Sequence, residues 1–258
     1  MQILSRLKLS LGVALACGTT SAFAVEVEFD RPGQALSTSI VPKGHLAWEQ
    51  ALPSLQYDQS RINGLKHTTL DVQTDLLLRA GIGFGTELRL GWDGQVWKRE
   101  KIGNNKHHVD GLGDMQLGLK KSIDLADDSL KLAVLAQVNL DVGDDEVSRQ
   151  NEIYTLGSSL QYQFSPLVNT GITMLYEYED SRLAVTAIPN ISYEIQGNLS
   201  GFSEYVFRKA ESQSYESVVN TGLSWLIDPR LQLDASIGYS FNRQNPQFNA
   251  GLGFAYLF

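Results

Sequence analysis

From Gly44 to the end of the chain, short runs with an apolar residue at every second position recur between clusters of turn-forming residues. Residues 70–79, LDVQTDLLLR, set Leu70, Val72, Thr74, Leu76 and Leu78 on one face, with Asp71, Gln73, Asp75 and Arg79 on the other. Residues 84–93 set Phe84, Leu88, Leu90 and Trp92 against Glu87, Arg89 and Asp93. In residues 130–142 the apolar face runs from Leu130 to Val142, and Lys131, Gln137, Asn139 and Asp141 oppose it. The stretches 183–195 and 231–241 repeat the pattern, as does the last one, NPQFNAGLGFAYLF. A period of two is that of a β-strand with two unlike faces, and regular turn signals between such runs argue for an all-β sandwich or barrel.

Strand length separates these two architectures. Runs fall at about 45–56, 67–80, 84–98, 112–123, 129–142, 152–164, 167–178, 183–196, 199–209, 216–227, 231–242 and 247–258. Most exceed the usual globular strand of about 5–6 residues and match the roughly 9–11 that a tilted strand needs to cross a membrane. We therefore expect a transmembrane, antiparallel, up-and-down β-barrel of about twelve strands over 44–258. Tight turns at 81–83, 125–128, 165–166, 196–198 and 228–230 alternate with longer polar connections at 57–66, 98–113, 143–151, 179–182, 210–215 and 243–246. Short turns at one end and long loops at the other are the layout of bacterial outer-membrane barrels, and an even strand count returns both termini to the periplasmic side. In a closed barrel the last strand pairs with the first, so its apolar face meets lipid and leaves no adhesive edge. Tyr154, Tyr176, Tyr178, Trp225, Tyr256 and Phe258 lie near strand ends, where interfacial girdles form.

The segment before the barrel divides in two. Residues 1–24 carry Arg6 and Lys8, an apolar run from Leu9 to Ala16, and Ala22-Phe23-Ala24 as a cleavage motif. This is a secretory signal peptide cut before Val25. Cleavage before Cys17 as a lipoprotein is the weaker reading, because the usual Leu three residues ahead is absent. Its removal takes away the single Cys, and with it any disulfide or thiolate metal site. It also takes away Arg6 and Lys8, leaving 19 of the 21 Lys and Arg against 29 Asp and Glu, a net charge of −10. An acidic chain without a basic stripe is a poor nucleic-acid binder. Residues 25–43 hold two Pro and little periodicity, and read as an extended segment that could plug the lumen, with Asp30, Arg31 and Pro32 as its candidate residues.

The faces opposite the apolar ones carry the candidate chemistry. The expected lumen-lining set is Asp71, Asp75, Arg79, Glu87, Arg89, Asp93, Lys131, Asp141, Glu194, Glu204, Arg208 and Asp234, with Glu49, Lys120 and Glu177 beside them. Acids outnumber bases, so one reading is a wet pore that favours cations, and the other is an interlocked ion-pair network that fills a narrow barrel. Pro189 falls inside a strand, where it cannot donate to a ladder. It reads as a plain bulge, or as a site where the wall opens sideways to an apolar solute. His107, His108 and Asp110 read as part of a solvated outer loop, because adjacent imidazoles are hard to aim at one ion, and the acidic 141–146 lacks an EF-hand pattern. No G-x-S-x-G and no Ser-His-carboxylate set is legible, so no enzyme, cofactor or metal site is expected.

Two blocks resemble a family of bacterial outer-membrane proteins named for an association with the meta-pathway of phenol degradation. The first is Asp30-Arg31-Pro32 followed by Val41-Pro42-Lys43-Gly44-His45 and Glu49; the second is Gly111, Gly113, Asp114, Leu117, Gly118 and Lys120 in GLGDMQLGLKKSI. The family often has Thr before Asp-Arg-Pro; Phe29 stands there in this chain. The resemblance implies an outer-membrane barrel that transports aromatic or other hydrophobic compounds. The leading functional expectation is thus a passive channel for small molecules. A closed structural or ligand-binding barrel is the alternative, and an outer-membrane hydrolase a remote third. Expected partners are outer-membrane lipid and lipopolysaccharide, and the barrel-assembly machinery through the Phe258 strand.

Overall fold

A computed structural model describes residues 27–62, 64–240 and 246–258. The expected signal peptide at 1–24 lies outside them, as do Cys17 and most of the 243–246 connection. The strands are β1 (Leu46–Ile62), β2 (Leu65–Gln73), β3 (Leu76–Gly83), β4 (Thr86–Trp92), β5 (Gln95–Ile102), β6 (Asn105–Leu112), β7 (Met115–Ile123), β8 (Leu130–Leu140), β9 (Ile153–Ser165), β10 (Val168–Glu179), β11 (Arg182–Gln196), β12 (Leu199–Ala210), β13 (Glu216–Asp228), β14 (Leu231–Ser240) and β15 (Gln247–Leu257). Every ladder between them is antiparallel, and β15 pairs with β1 to close the sheet. Closure satisfies the backbone of the terminal strand on both sides, which an open sheet in lipid could not do.

Three members of the wall are interrupted. β2 and β3 are two halves of one strand broken at Thr74–Asp75, β4 and β5 at Asp93–Gly94, and β6 and β7 at Gly113–Asp114. Taking each pair as one strand, the barrel has twelve. The breaks lie side by side: Thr74 N donates to Gln95 O, Asp93 N to Asp114 O, and Gly113 N to Gly94 O. The bulge between Ala51 and Ser54 in β1 continues the line. Pro53 has no N–H to give there, and Gly94 adopts φ +71° against the Thr74 carbonyl, where a side chain would collide. A kink therefore crosses four neighbouring strands along one line of ladder partners.

The outer halves of those strands correct the expected connections. Residues 57–66 and 98–113 are largely strand: β1 runs on to Ile62 and pairs with β2, while β5 and β6 form a tight hairpin around Gly103. Their alternation is polar on both faces above the kink, so the hydrophobic pattern that marks a membrane strand is lost while the ladder continues. The 141–152 connection is the long outer loop, held by Asp114, which accepts from Gly143 N, Arg149 N and Ser148 Oγ.

Side-chain alternation follows the register around the ring. Ala47, Glu49 and Ala51 point inward and are buried, while Leu46, Trp48 and Leu52 are exposed outside. Ala255 and Leu257 likewise face in, with Phe248, Leu252 and Phe258 on the exposed face. At Gly253 in the closing strand the Arg31 guanidinium occupies the space a Cβ would need, and at Gly238 the Asn220 side chain does so.

Candidate functional site

The lumen is crossed by the segment preceding β1. Extended backbone has no ladder to satisfy its N–H and C=O groups, so inside a barrel the wall must supply partners. Carboxylates supply most of them. Glu49 accepts from Asp30 N at 3.2 Å and Arg31 N at 2.9 Å, and Glu87 accepts from Val41 N at 2.9 Å. On the opposite wall Glu204 accepts from Gln34 N at 2.8 Å and Ala35 N at 2.9 Å, and Thr173 Oγ1 accepts from Leu36 N at 3.0 Å. These partners sit on β1, β4, β12 and β10, so the segment spans the barrel from side to side. Apolar contacts secure it at two walls: Val27, Phe29 and Val41, from its two ends, pack with Ala47, Ala255 and Leu257, and Ala35, at its middle, packs on Ile188, Val206 and Val218.

A buried charge cluster holds the middle. Arg79 Nε and Nη2 donate to the two oxygens of Glu87 at 2.9 and 3.0 Å, and Nη1 donates to Glu49 at 2.9 Å. Asp30 of the segment meets Arg89, Arg79 and Lys120, with the Lys120 Nζ at 3.3 Å. Three carboxylates and three cations thus neutralise one another away from bulk water, which buried charges require. Burial works against ionisation of Asp30, yet the surrounding Arg79, Arg89 and Lys120 hold its carboxyl far below the usual carboxylate range.

Arg31 makes a second set of contacts. Its guanidinium donates to Asp234 at 3.1 Å, to Asp75 at 3.2 Å, and to the Leu252 carbonyl at 3.2 Å. That carbonyl lies beside the β1 bulge, opposite Leu52 and Pro53, where β15 lacks a regular partner. Ser54 Oγ donates to Asp75 at 2.6 Å, and Gln232 Nε2 to the Arg31 carbonyl at 3.2 Å.

Two cavities flank this stretch. One of about 490 Å³ lies against β9 to β13, with Ser159, Asn190, Glu194, Phe202 and Glu204 in its wall. The other, about 210 Å³, is lined by Glu49, Asp75, Arg89, Asp93 and Gln116. Asp30, Arg31, Pro32 and Gly33 line both.

Of the expected lumen residues, Arg79, Glu87, Arg89, Glu204, Asp234 and Asp75 meet the segment or its ion cluster. Asp71 and Asp93 are half-buried higher up, Asp71 across from Gln56 and Lys98 and Asp93 within reach of Gln116. Arg208 pairs with Glu177 at 3.2 Å and Glu216 at 3.8 Å towards the outer end. Lys131 and Glu194 are exposed near the periplasmic turns. Asp141 is a correction: β8 ends at Leu140, and Asp141 belongs to the outer loop, accepting from Ser148. Pro189 is exposed on the outward face. It pairs with Ile172 on one side, and on the other the ladder passes from Ala187↔Phe207 to Asn190↔Glu204 in unchanged register. The feature is a two-residue gap in one ladder, with no inserted residue as a bulge would have. His107 and His108, on β6, alternate to opposite faces. Asn220, Thr173, Ser159 and Gln232, which serve the segment or its carboxylates, are uncharged and drew no notice in the sequence; their inward position in the alternation was the available signal.

A closed twelve-strand barrel with lipid-facing apolar residues and an occupied polar lumen defines an outer-membrane-type β-barrel protein. The chain belongs to the family described as "Putative MetA-pathway of phenol degradation", whose pattern matches residues 29–258. No curated protein matches it in sequence. An outer membrane channel from Pseudomonas putida F1 superposes with a TM-score of 0.64 at 12% identity, over 88% of this chain and 99% of that one. The translocator domain of the autotransporter NalP from Neisseria meningitidis gives 0.56 at 12% identity, over 82% and 88%. The KdgM porin gives 0.52 at 12% identity, over 79% and 98%. At such identities the likeness is one of fold.

Proposed function

We propose that the protein is a passive outer-membrane channel for small molecules, aromatic compounds among them, and that residues 25–43 are its gate. The observation that carries this reading is that Asp30 to Gly33 borders both lumen cavities, so moving one short stretch would join them. The family description supports aromatic solutes, and the fold shared with a channel and a porin supports a passive path. Acid excess in the lumen need not imply cation selectivity, since Glu49, Glu87 and Glu204 spend their oxygens on segment amides and Arg79. Selectivity would emerge only once the segment has moved and freed them. The balanced ion cluster also suits the second reading, a barrel closed for good.

Single-channel conductance in a planar bilayer separates the two. The mature chain lacking residues 25–43 should show larger and more frequent openings than the whole mature chain, provided both migrate as folded, heat-modifiable barrels. Equal conductance from the two would remove the gate, and silence from both would favour the closed barrel. We place the protein in the outer membrane, exported by its signal peptide and inserted through its closing strand. Co-fractionation with outer-membrane markers tests that placement.

A further inference from the structure

The outward face of the kinked extension carries five cations against one carboxylate, the exposed Asp110 beside Trp97. Cross-strand register sets Arg61 beside Lys66, Lys101 beside Lys106, and Arg99 between Leu70 and His108, all on one face. That face is the outer one: it continues upward from Leu55, Val72 and the exposed Trp97, while Val96 and Val109 on the reverse are buried. Arg61, Lys66, Arg99, Lys101 and Lys106 are all exposed, and among the described residues no carboxylate forms an ion pair with any of them. The reverse face carries Asp58, Asp71 and Glu100, with Lys98 paired to Glu100. Five of the 21 Lys and Arg thus gather on one patch of an acidic chain. Adjacent like charges repel and are unfavourable in a sheet unless something neutralises them.

The height of the patch identifies what that is. Along the outer face of β1, β2 and β5 the apolar row of Leu55, Val72 and Trp97 gives way to the row of Tyr57, Leu70 and Arg99, and then to Lys101, Lys66 and Arg61. Arg99 shares the row of Tyr57, and Arg61 lies four residues further along β1. At about 3.3 Å per residue and a tilt near 45°, Arg61 stands about 9 Å nearer the outer end than Tyr57 on the same strand. The polar headgroup layer, roughly 5–8 Å deep beyond the hydrocarbon, begins where the lipid-facing row turns from apolar to charged.

We propose that this face binds the phosphorylated headgroup of a glycolipid of lipid A type in the outer leaflet, its phosphates bridged between Arg99, Lys101, Lys106, Lys66 and Arg61. The inference rests on the outer-membrane placement and is independent of transport or of gating by the N-terminal segment. It puts this cationic patch on the lipid-facing wall, where a bisphosphorylated headgroup can reach it, and it gives the polar strands above the kink a reason to remain ordered.

The test is the affinity of the whole folded barrel in detergent for fluorescent bisphosphorylated lipid A. Neutralising the patch with Lys66→Gln, Arg99→Gln, Lys101→Gln and Lys106→Gln should raise Kd at least about tenfold. Lys98→Gln, on the same strand but the inner face, should leave it unchanged. The fully dephosphorylated lipid should bind the unaltered barrel as weakly as the neutralised variant binds lipid A, and added salt should weaken only the binding of phosphorylated lipid A to the unaltered barrel. Equal affinity of the neutralised variant, or equal binding of the dephosphorylated lipid, would overturn the proposal. Displacement by inorganic pyrophosphate at matched concentration would also overturn it, reassigning the patch to free phosphates. A barrel that binds lipid A as expected yet fractionates outside the outer membrane would refute the placement and leave the chemistry of the patch standing.

Discussion

Arg31 donates to Asp234 at 3.1 Å across 203 residues of sequence, joining the segment before the first strand to the strand before the last. The same guanidinium reaches Asp75 on the adjoining wall and the Leu252 carbonyl at the closing seam. One side chain therefore links the N-terminal segment to three parts of the barrel, and its contacts make the proposed gate testable residue by residue.

Arg31→Gln should release the segment. Asp234 is fully buried on its side chain and would lose its cation, while Arg31 itself keeps some exposure. Stranding a buried carboxylate in this way costs about 3–4 kcal/mol, the lower part of the range for broken buried pairs. Expected outcomes are more frequent openings in single-channel records and a lower thermal midpoint of the folded form on gels.

Asp30→Asn should do the same by a different route, removing the anion that Arg79, Arg89 and Lys120 share. The pH dependence follows from sign. The Asp30 pKa is depressed when the segment is docked, so its stabilisation is complete above the ordinary carboxylate range near about 4 and fades as pH falls below it. The closed fraction of the unaltered channel should not change on this account between pH 8 and pH 5. An opening transition near pH 6 would show that another group controls the gate.

Gly81→Ala tests docking without touching a charge. Gly81 N donates to His45 O, Gly44 N donates to Gly81 O, and Gly81 bridges to Lys43. A methyl group there would overlap the carbonyl oxygens of Pro42 and Val41. The variant should fold as a barrel yet cleave more readily within 25–43 under limited proteolysis. Protection equal to that of the unaltered chain would mean that the segment can shift without leaving the wall.

Arg79→Lys should be the most damaging conservative change. Arg79 is wholly buried and makes bidentate bonds to Glu87, a further bond to Glu49, and bonds to the Ser39 and Glu28 carbonyls. A lysine ammonium cannot reproduce this fork. Refolding yield should fall several-fold, with the loss read by the heat-modifiable band.

Pro189→Ala should leave conductance unchanged, because the strand keeps its register past Pro189 and the side chain faces away from the lumen. A change in uptake of an apolar solute with unchanged ion conductance would instead revive a sideways exit at this point.

Much of the fold was legible because alternation is local. A strand with lipid on one side and water or polar side chains on the other must change character at every residue, so Leu130 to Leu140 or Phe248 to Phe258 announce their faces without any tertiary information. The signal failed above the kink for the same reason. Residues 98–113 are polar on both faces, and nothing local distinguishes such a strand from a solvated loop. The run 84–98 reads as one strand straight through Asp93–Gly94, and only the alignment of that break with Thr74–Asp75 and Gly113–Asp114 reveals a kink in a continuing wall.

The lumen divides in the same way. By itself the sequence determined that Arg79, Glu87, Glu204 and Asp234 face inward, and that 25–43 is extended, because period and proline content are properties of neighbouring residues. Tertiary structure alone decided that those carboxylates receive the amides of that segment, and that Arg31 finds Asp234 and Asp75. The reason is physical: a carboxylate on an inner wall satisfies water, an ion or a backbone N–H equally well by its chemistry. Which of them it meets depends on what barrel closure brings within 3 Å, and closure joins residues that the chain holds some two hundred positions apart.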